Sequence, residues 1–235
     1  MIIAARTGGG ERMTDSSNGA RRPEVILVTD ATYPDERVLE AVEACVRALP
    51  PHTFAVQLRD KKKEPKALRA FAEKLRKATN PPNLGGAGAL LLINGNPSLA
   101  KEVSADGVHL GGSAMKVSDA RGILGEDAFI TVAAHSDHAV RLGAQDGANG
   151  ALVSSIFASP GKATGRGVEA LRSARAVAGG NFLIYALGGV ELTNAAECVD
   201  AGADGVAAIR ALLLASDPGA EARAIYDRMH RMQAT

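Results

Sequence analysis

The stretch "VILVTDATYPDERVLEAVEACVRALPPHTFAVQLRDK", residues 25–61, decides the fold. It opens on a short β-branched run, Val25–Thr29, and passes through a polar turn. An amphipathic stretch over residues 35–48 follows, and a second β-branched run covers Phe54–Leu58. A strand, a helix of about four turns and another strand make one βαβ unit, whose strands lie parallel. The turn after the first strand, "TDATYPDE", has none of the G-x-G-x-x-G spacing of a dinucleotide-binding open sheet.

The same alternation continues to the end of the chain. Further strands are predicted over Ala89–Ile93, Gly107–His109, Phe129–Ala133, Ala151–Ser154, Phe182–Ala186 and Gly205–Ala207. Helices are predicted over 65–79, 96–103, 116–124, 137–146, 167–178, 192–201 and 208–215, with a last amphipathic helix over 219–232. Eight strand–helix units in so short a chain imply an α/β fold, a single (β/α)8 TIM barrel, rather than a doubly wound sheet. No linker interrupts the pattern, so residues 23–235 form one domain. Residues 1–22, rich in Gly, Ser, Asn and Arg, read as a disordered tail in which Met13 is an alternative start.

Composition narrows the function classes. The chain has 235 residues with a net charge of +1, so it carries no electrostatic footprint for nucleic acid. Aromatic residues make up 3% and tryptophan is missing, which disfavours base-stacking platforms. No run approaches the roughly 20 apolar residues of a membrane span, and the expected compartment is the cytoplasm. Cys45 and Cys198 sit far apart in helical patterns and read as buried structural thiols.

In a barrel of this type the chemistry gathers where strands end and βα loops begin. "VQLRDKKK", residues 56–63, closes the second strand, and period-2 alternation puts Gln57, Arg59 and Lys61 on one side as an anion site. "YALGGVELTNAAE", residues 185–197, is a strand, a Gly188-Gly189 turn and a helix. "GADGVAAIRALL", residues 202–213, repeats the device one strand later with Ile209 and Arg210. Bare glycines and helix starts offer backbone N–H groups to a phosphate. "SSIFASPGKATGRG", residues 154–167, places Ser159 and Lys162 in a long polar loop suited to a second anionic group. "AAHSDHAV", residues 133–140, ends the fifth strand at His135, where imidazole suits proton transfer. "LLING" ends the third strand on Asn94 and a bare Gly95, and "DGVHLGG" ends the fourth on His109, a candidate core residue.

Taken in order, "VQLRDK", "LLING", "GVHLGG", "AHS", "SSIFASPGK", "ALGGV" and "AGADGVA" resemble the thiamine phosphate synthase/TenI superfamily over residues 25–215. The resemblance implies a (β/α)8 barrel handling thiazole phosphate in thiamine biosynthesis. One branch joins a pyrimidine methyl pyrophosphate to thiazole phosphate and releases pyrophosphate, using Mg²⁺ held by two aspartates. These belong to "IND" after strand three and "HLGQxD" after strand four. The TenI branch tautomerises a thiazole carboxylate phosphate.

Here "IND" is Ile93-Asn94-Gly95, and Ala114 stands where the second aspartate is expected. Mg²⁺ prefers carboxylate oxygens in octahedral array, which Gly and Ala do not provide. The expectation is therefore a metal-independent thiazole tautomerase without cofactor. His135 would move the proton, Gly188, Gly189, Ile209 and Arg210 would hold the phosphate, and Arg59, Lys61 and Lys162 would face the carboxylate. A thiamine phosphate synthase, with Mg²⁺, is the alternative, because Gln57-x-Arg59-x-Lys61 matches the synthase's pyrophosphate-binding run. A non-catalytic binder of thiazole or thiamine phosphate is the third reading. The expected partner is a small-molecule substrate, with no nucleic acid and no membrane, and a homodimer is compatible with the resemblance.

Overall fold

A computed structural model describes residues 22–84, 88–112, 115–159, 161 and 164–231. Eight parallel strands close into one barrel in sequential order, β1 Val25–Val28, β2 Phe54–Leu58, β3 Leu90–Asn94, β4 Gly107–Leu110, β5 Phe129–Ala134, β6 Gly150–Ser154, β7 Leu183–Leu187 and β8 Gly205–Ala208. The sequence-predicted TIM barrel is therefore the observed fold. Outside the strands lie α1 Asp35–Ala48, α2 Pro65–Thr79, α3 Pro97–Glu102, α4 Val117–Leu124, α5 Asp137–Gln145, α6 Glu169–Ala178, α7 Ala195–Asp200, α8 Arg210–Leu213 and α9 Pro218–Arg231. None of the described helices is long and apolar enough to cross a membrane.

Strand alternation sorts the apolar residues into two cores. Ile26, Val28, Ala55, Leu90, Leu92, Phe129, Leu152, Leu183, Tyr185 and Ala207 fill the lumen. Their neighbours along each strand, such as Val25, Leu27, Val56, Leu91 and Ile93, pack with the helices in a second core. Both faces of a parallel sheet are thus buried, which is why the strands read as continuous apolar runs. Cys45 and Cys198 lie in this outer layer as free thiols, and burial pushes each up to about 12.

The end of the barrel opposite the strand C-termini is closed by one device used three times. The residue just before an even-numbered strand accepts the N–H of the preceding odd strand: Asp106 from Leu91, Asn149 from Ile130 and Asp204 from Ile184, each at 2.8 Å. An arginine from the helix before that pair grips the same acceptor: Arg76 of α2, Arg121 of α4 and Arg175 of α6. Each arginine also donates to loop carbonyls, including Ala89, Ala128 and Phe182. A glycine follows each acceptor because the next strand's backbone leaves no room. A Cβ at Gly107, Gly150 or Gly205 would sit 1.8, 2.6 or 2.4 Å from a carbonyl oxygen.

Candidate functional site

Inward-facing positions turn polar as the strands reach the mouth. Gln57, 2% exposed, donates through Nε2 to Asn94 Oδ1 across β2 and β3 at 3.2 Å. His109, inward on β4, meets the Thr131 hydroxyl of β5 at 3.0 Å through Nδ1. At the end of β1, the Thr29 hydroxyl accepts the Arg59 N–H at 2.8 Å and donates to the Arg59 carbonyl at 3.2 Å. This two-way lock fixes the backbone of Arg59 one residue beyond β2, with its side chain half-buried. Gly95, one residue beyond β3, has φ +67° and donates its N–H to the His109 carbonyl at 2.8 Å.

The neighbouring arc comes from β5 to β8. His135 stands exposed just past β5, with Nδ1 3.0 Å from the Ser154 carbonyl. A carbonyl only accepts, so Nδ1 carries the proton and Nε2 presents its lone pair outward. Gly188 and Gly189 have φ +101° and +64°. They are pressed by the loop after β6, since a Cβ at Gly188 would lie 2.2 Å from Ser155 Oγ and one at Gly189 2.4 Å from the Ala158 carbonyl. Phe157 N–H takes the Gly188 carbonyl and the Asn194 side chain takes that of Gly189. In a trans peptide the N–H groups that follow these carbonyls point the opposite way. Ile209 caps α8 and Arg210 opens it, exposed. Ser159 lies half-buried in the loop after β6, and Lys162 lies outside the described residues.

Lys61 departs from the sequence expectation. The strand stops at Leu58, so alternation does not extend to residue 61, and the side chain is exposed in the loop. The cause is Asp60, whose carboxylate accepts the N–H groups of Lys62 and Lys63 at 2.8 and 2.9 Å and folds the chain out of the strand. Gln57 and Arg59 remain together at the mouth without it.

Charge in the mouth is sparse. Burial, and then the nearby Arg59 guanidinium, push His109 down to about 4, so its ring is neutral at neutral pH. The Thr32 N–H holds the Asp30 carboxyl below its usual range despite partial burial. Burial raises Asp60, but the N–H groups of Lys62 and Lys63 and the Lys63 ammonium outweigh it and leave the group lowered. Both carboxylates are thus committed to local partners.

The Mg²⁺ implied by the sequence resemblance does not fit this donor set. Among the described residues no group of three or more His, Cys, Asp or Glu is placed to hold a metal ion. Nothing lies within 4 Å of a Cβ built on Gly95, so the position offers space and no ligand. Ala114, the second substituted position, lies outside the described residues.

Sequence reasoning left two residues out of the site. Thr131, inside the apolar run "FITVAA", is fully buried and holds His109. Tyr185 is buried in the lumen with its hydroxyl unpartnered, as is Gln57 Oε1. The signal for each was a polar group in an otherwise apolar strand. A cavity of about 460 Å³ lies at the other end of the barrel, lined by residues such as Glu24, Arg175, Asp204 and His230. It belongs to the closure device described above, where residues serve stability.

A parallel eight-stranded barrel with a histidine, an anchored arginine and a Gly-Gly turn at its C-terminal mouth has the layout of a phosphate-handling TIM-barrel enzyme. The family model described as thiamine monophosphate synthase matches residues 25–212, and the chain belongs to that family, the thiamine phosphate synthase/TenI superfamily. The thiamine-phosphate synthase of Haloarcula marismortui is 34% identical over 217 residues, covering 88% of this chain and 97% of that protein. The thiamine biosynthesis bifunctional protein ThiM/ThiE of Symbiobacterium thermophilum is 36% identical over 209 residues, covering 88% of this chain, and the chain spans 40% of that longer protein. Among solved structures, thiamine phosphate pyrophosphorylase from Pyrococcus furiosus superposes with a TM-score of 0.73 at 24% identity, covering 90% of this chain and 97% of that one, a likeness of fold.

Proposed function

We propose that this chain is a transferase of the thiamine-phosphate-synthase type. It joins a pyrimidine methyl pyrophosphate to a thiazole phosphate. The bond between the methylene carbon and the pyrophosphate oxygen breaks, and the electron pair leaves with pyrophosphate. The thiazole nitrogen lone pair forms the new C–N bond. The observation that carries this reading is Arg59, a cation whose backbone Thr29 locks at the mouth, near a neutral His109. A guanidinium at that place suits an anion that gains charge as it departs. Relatives named thiamine-phosphate synthase, 34–35% identical over most of the chain, support this reading over the tautomerase expected from the sequence. Gly188, Gly189, Ile209 and Arg210 would hold the thiazole phosphate, with Gln57 and Asn94 lining the mouth.

A second reading keeps the tautomerase, favoured by His135, whose Nδ1–H rests on the Ser154 carbonyl and leaves Nε2 as a proton acceptor. Product analysis separates the two. The protein is given pyrimidine pyrophosphate with thiazole phosphate, and separately the thiazole carboxylate phosphate tautomer. Thiamine phosphate from the first pair supports the transferase. Aromatised thiazole from the second substrate alone, with no coupled product from the first, overturns it in favour of the tautomerase.

A further inference from the structure

We infer that this chain holds its diphosphate group with fixed side-chain cations, Arg59 first, and without a divalent metal. The inference rests on the transferase reading for its substrate, but its evidence is the disagreement between the family's metal and the residues present. Three observations converge at the mouth between β1 and β4.

The first is the backbone of Gly95. Its left-handed φ of +67° is a conformation that Asp and Asn tolerate better than other non-glycine residues. The Gly95 N–H is held on the His109 carbonyl, and nothing lies within 4 Å of its would-be Cβ. The position has open space, its φ is one that aspartate tolerates with some strain, and the glycine present supplies no ligand. The second observation is that neighbouring carboxylates do not replace it. Asp30 is spent on the Thr32 N–H and hydroxyl, at 2.9 and 2.8 Å. Asp60 is spent on the Lys62 and Lys63 N–H groups and the Lys63 ammonium. The amide oxygen of Asn94 is taken by Gln57 Nε2.

The third is the fixed charge itself. The Thr29 hydroxyl locks the Arg59 backbone from both sides at the end of β2, and the half-buried side chain adds to the burial that lowers His109. Guanidinium binds phosphoryl oxygens in a two-pronged fork, and its charge is permanent at any working pH. Tied carboxylates beside a free guanidinium favour an anion over a cation at this end of the barrel.

The test is isothermal titration with inorganic pyrophosphate, in EDTA and in excess Mg²⁺. Binding in EDTA should be at least as tight as in Mg²⁺, because Mg²⁺ complexes the free anion and competes with the protein for it. Arg59→Ala should weaken binding in EDTA by about 10- to 100-fold, the range for a charge-assisted hydrogen-bonded pair, and Arg59→Lys should restore part of it. A parallel titration of Mn²⁺ followed by electron paramagnetic resonance should find no stoichiometric site in the protein as it stands.

Pyrophosphate bound only with Mg²⁺, no pyrophosphate bound in either condition, or stoichiometric Mn²⁺ on the unmodified protein would each overturn the inference. Failure of the transferase reading looks different, since pyrophosphate would still bind in EDTA while no coupled product formed. Coupling that required Mg²⁺ would sink the inference and leave the transferase standing.

Discussion

Replacing Asp204 with Ala removes the acceptor that closes the last pair of strands, and the structure sets the size of the loss. Asp204 Oδ2 accepts the Ile184 N–H at 2.8 Å, and Ile184 is fully buried. A buried N–H stripped of its acceptor costs about 1–3 kcal/mol. The same oxygen pairs with Arg175, both side chains being 30% exposed, and an ion pair so open to water contributes up to about 1 kcal/mol. Together Asp204→Ala should destabilise the barrel by about 1–4 kcal/mol, or about 2–16 °C in Tm for a chain of this size.

The molecule supplies its own control for which part matters. At the β5–β6 junction the same role is filled by Asn149, which is neutral, accepts the Ile130 N–H at 2.8 Å and takes Arg121 Nη2 at 3.2 Å. Asp204→Asn should therefore keep the N–H acceptor, lose only the charge and cost up to about 1 kcal/mol. Asn149→Ala should cost about 1–3 kcal/mol. Urea unfolding followed by circular dichroism reads these as shifts in midpoint at constant slope. If Asp204→Asn is as damaging as Asp204→Ala, charge rather than the N–H acceptor closes the barrel. If Asn149→Ala is silent, the shared device is a coincidence of geometry.

Further outcomes follow from the mouth and the strand starts. His109 titrates at about 4 when folded against an ordinary 6.5, so the folded state resists taking up that proton. Its contribution is complete above pH 6.5 and is lost as pH falls toward 4, amounting to about 3 kcal/mol. Denaturation midpoints between pH 7 and 4 should fall along this limb and flatten in His109→Asn, whereas an unchanged slope in that variant would assign the loss to other groups. His135→Ala should reduce turnover by about 100-fold or more if its Nε2 transfers a proton, while pyrophosphate binding stays within twofold. A turnover loss below threefold would make His135 a spectator. Gly107→Ala would drive its Cβ to 1.8 Å from the Phe129 carbonyl oxygen and should cost about 3 kcal/mol or more. A variant with the parent's urea midpoint would show that β5 yields at no cost.

The barrel was legible because each element carries its own period. α1 at 35–48, α2 at 65–79 and β2 at Phe54–Leu58 match expectation to the residue. The other strand boundaries shift by no more than one residue at either end. What the chain concealed is contact between strands. Gln57 and Asn94 lie 37 residues apart and His109 and Thr131 lie 22 apart, and only the barrel register brings each pair together. The three closing motifs, Ala105-Asp106-Gly107, Ala148-Asn149-Gly150 and Ala203-Asp204-Gly205, stand in plain view in the sequence. Their meaning depends on an N–H from a strand more than a dozen residues earlier and an arginine from a helix before that. Lys61 shows the opposite failure, where a valid period was carried past the point at which the Asp60 carboxylate bends the chain.

Gly95 shows why both levels are needed at the site. Sequence alone reports a missing carboxylate, and a missing ligand is easily taken for a missing site. The backbone there keeps a left-handed turn, a hydrogen bond to the His109 carbonyl and open space for a side chain. A missing ligand and a missing cradle are separate things, and at Gly95 the cradle is present. Under the metal-free inference the diphosphate charge falls to Arg59, and the Thr29 lock on the Arg59 backbone then becomes a functional contact as well as a structural one.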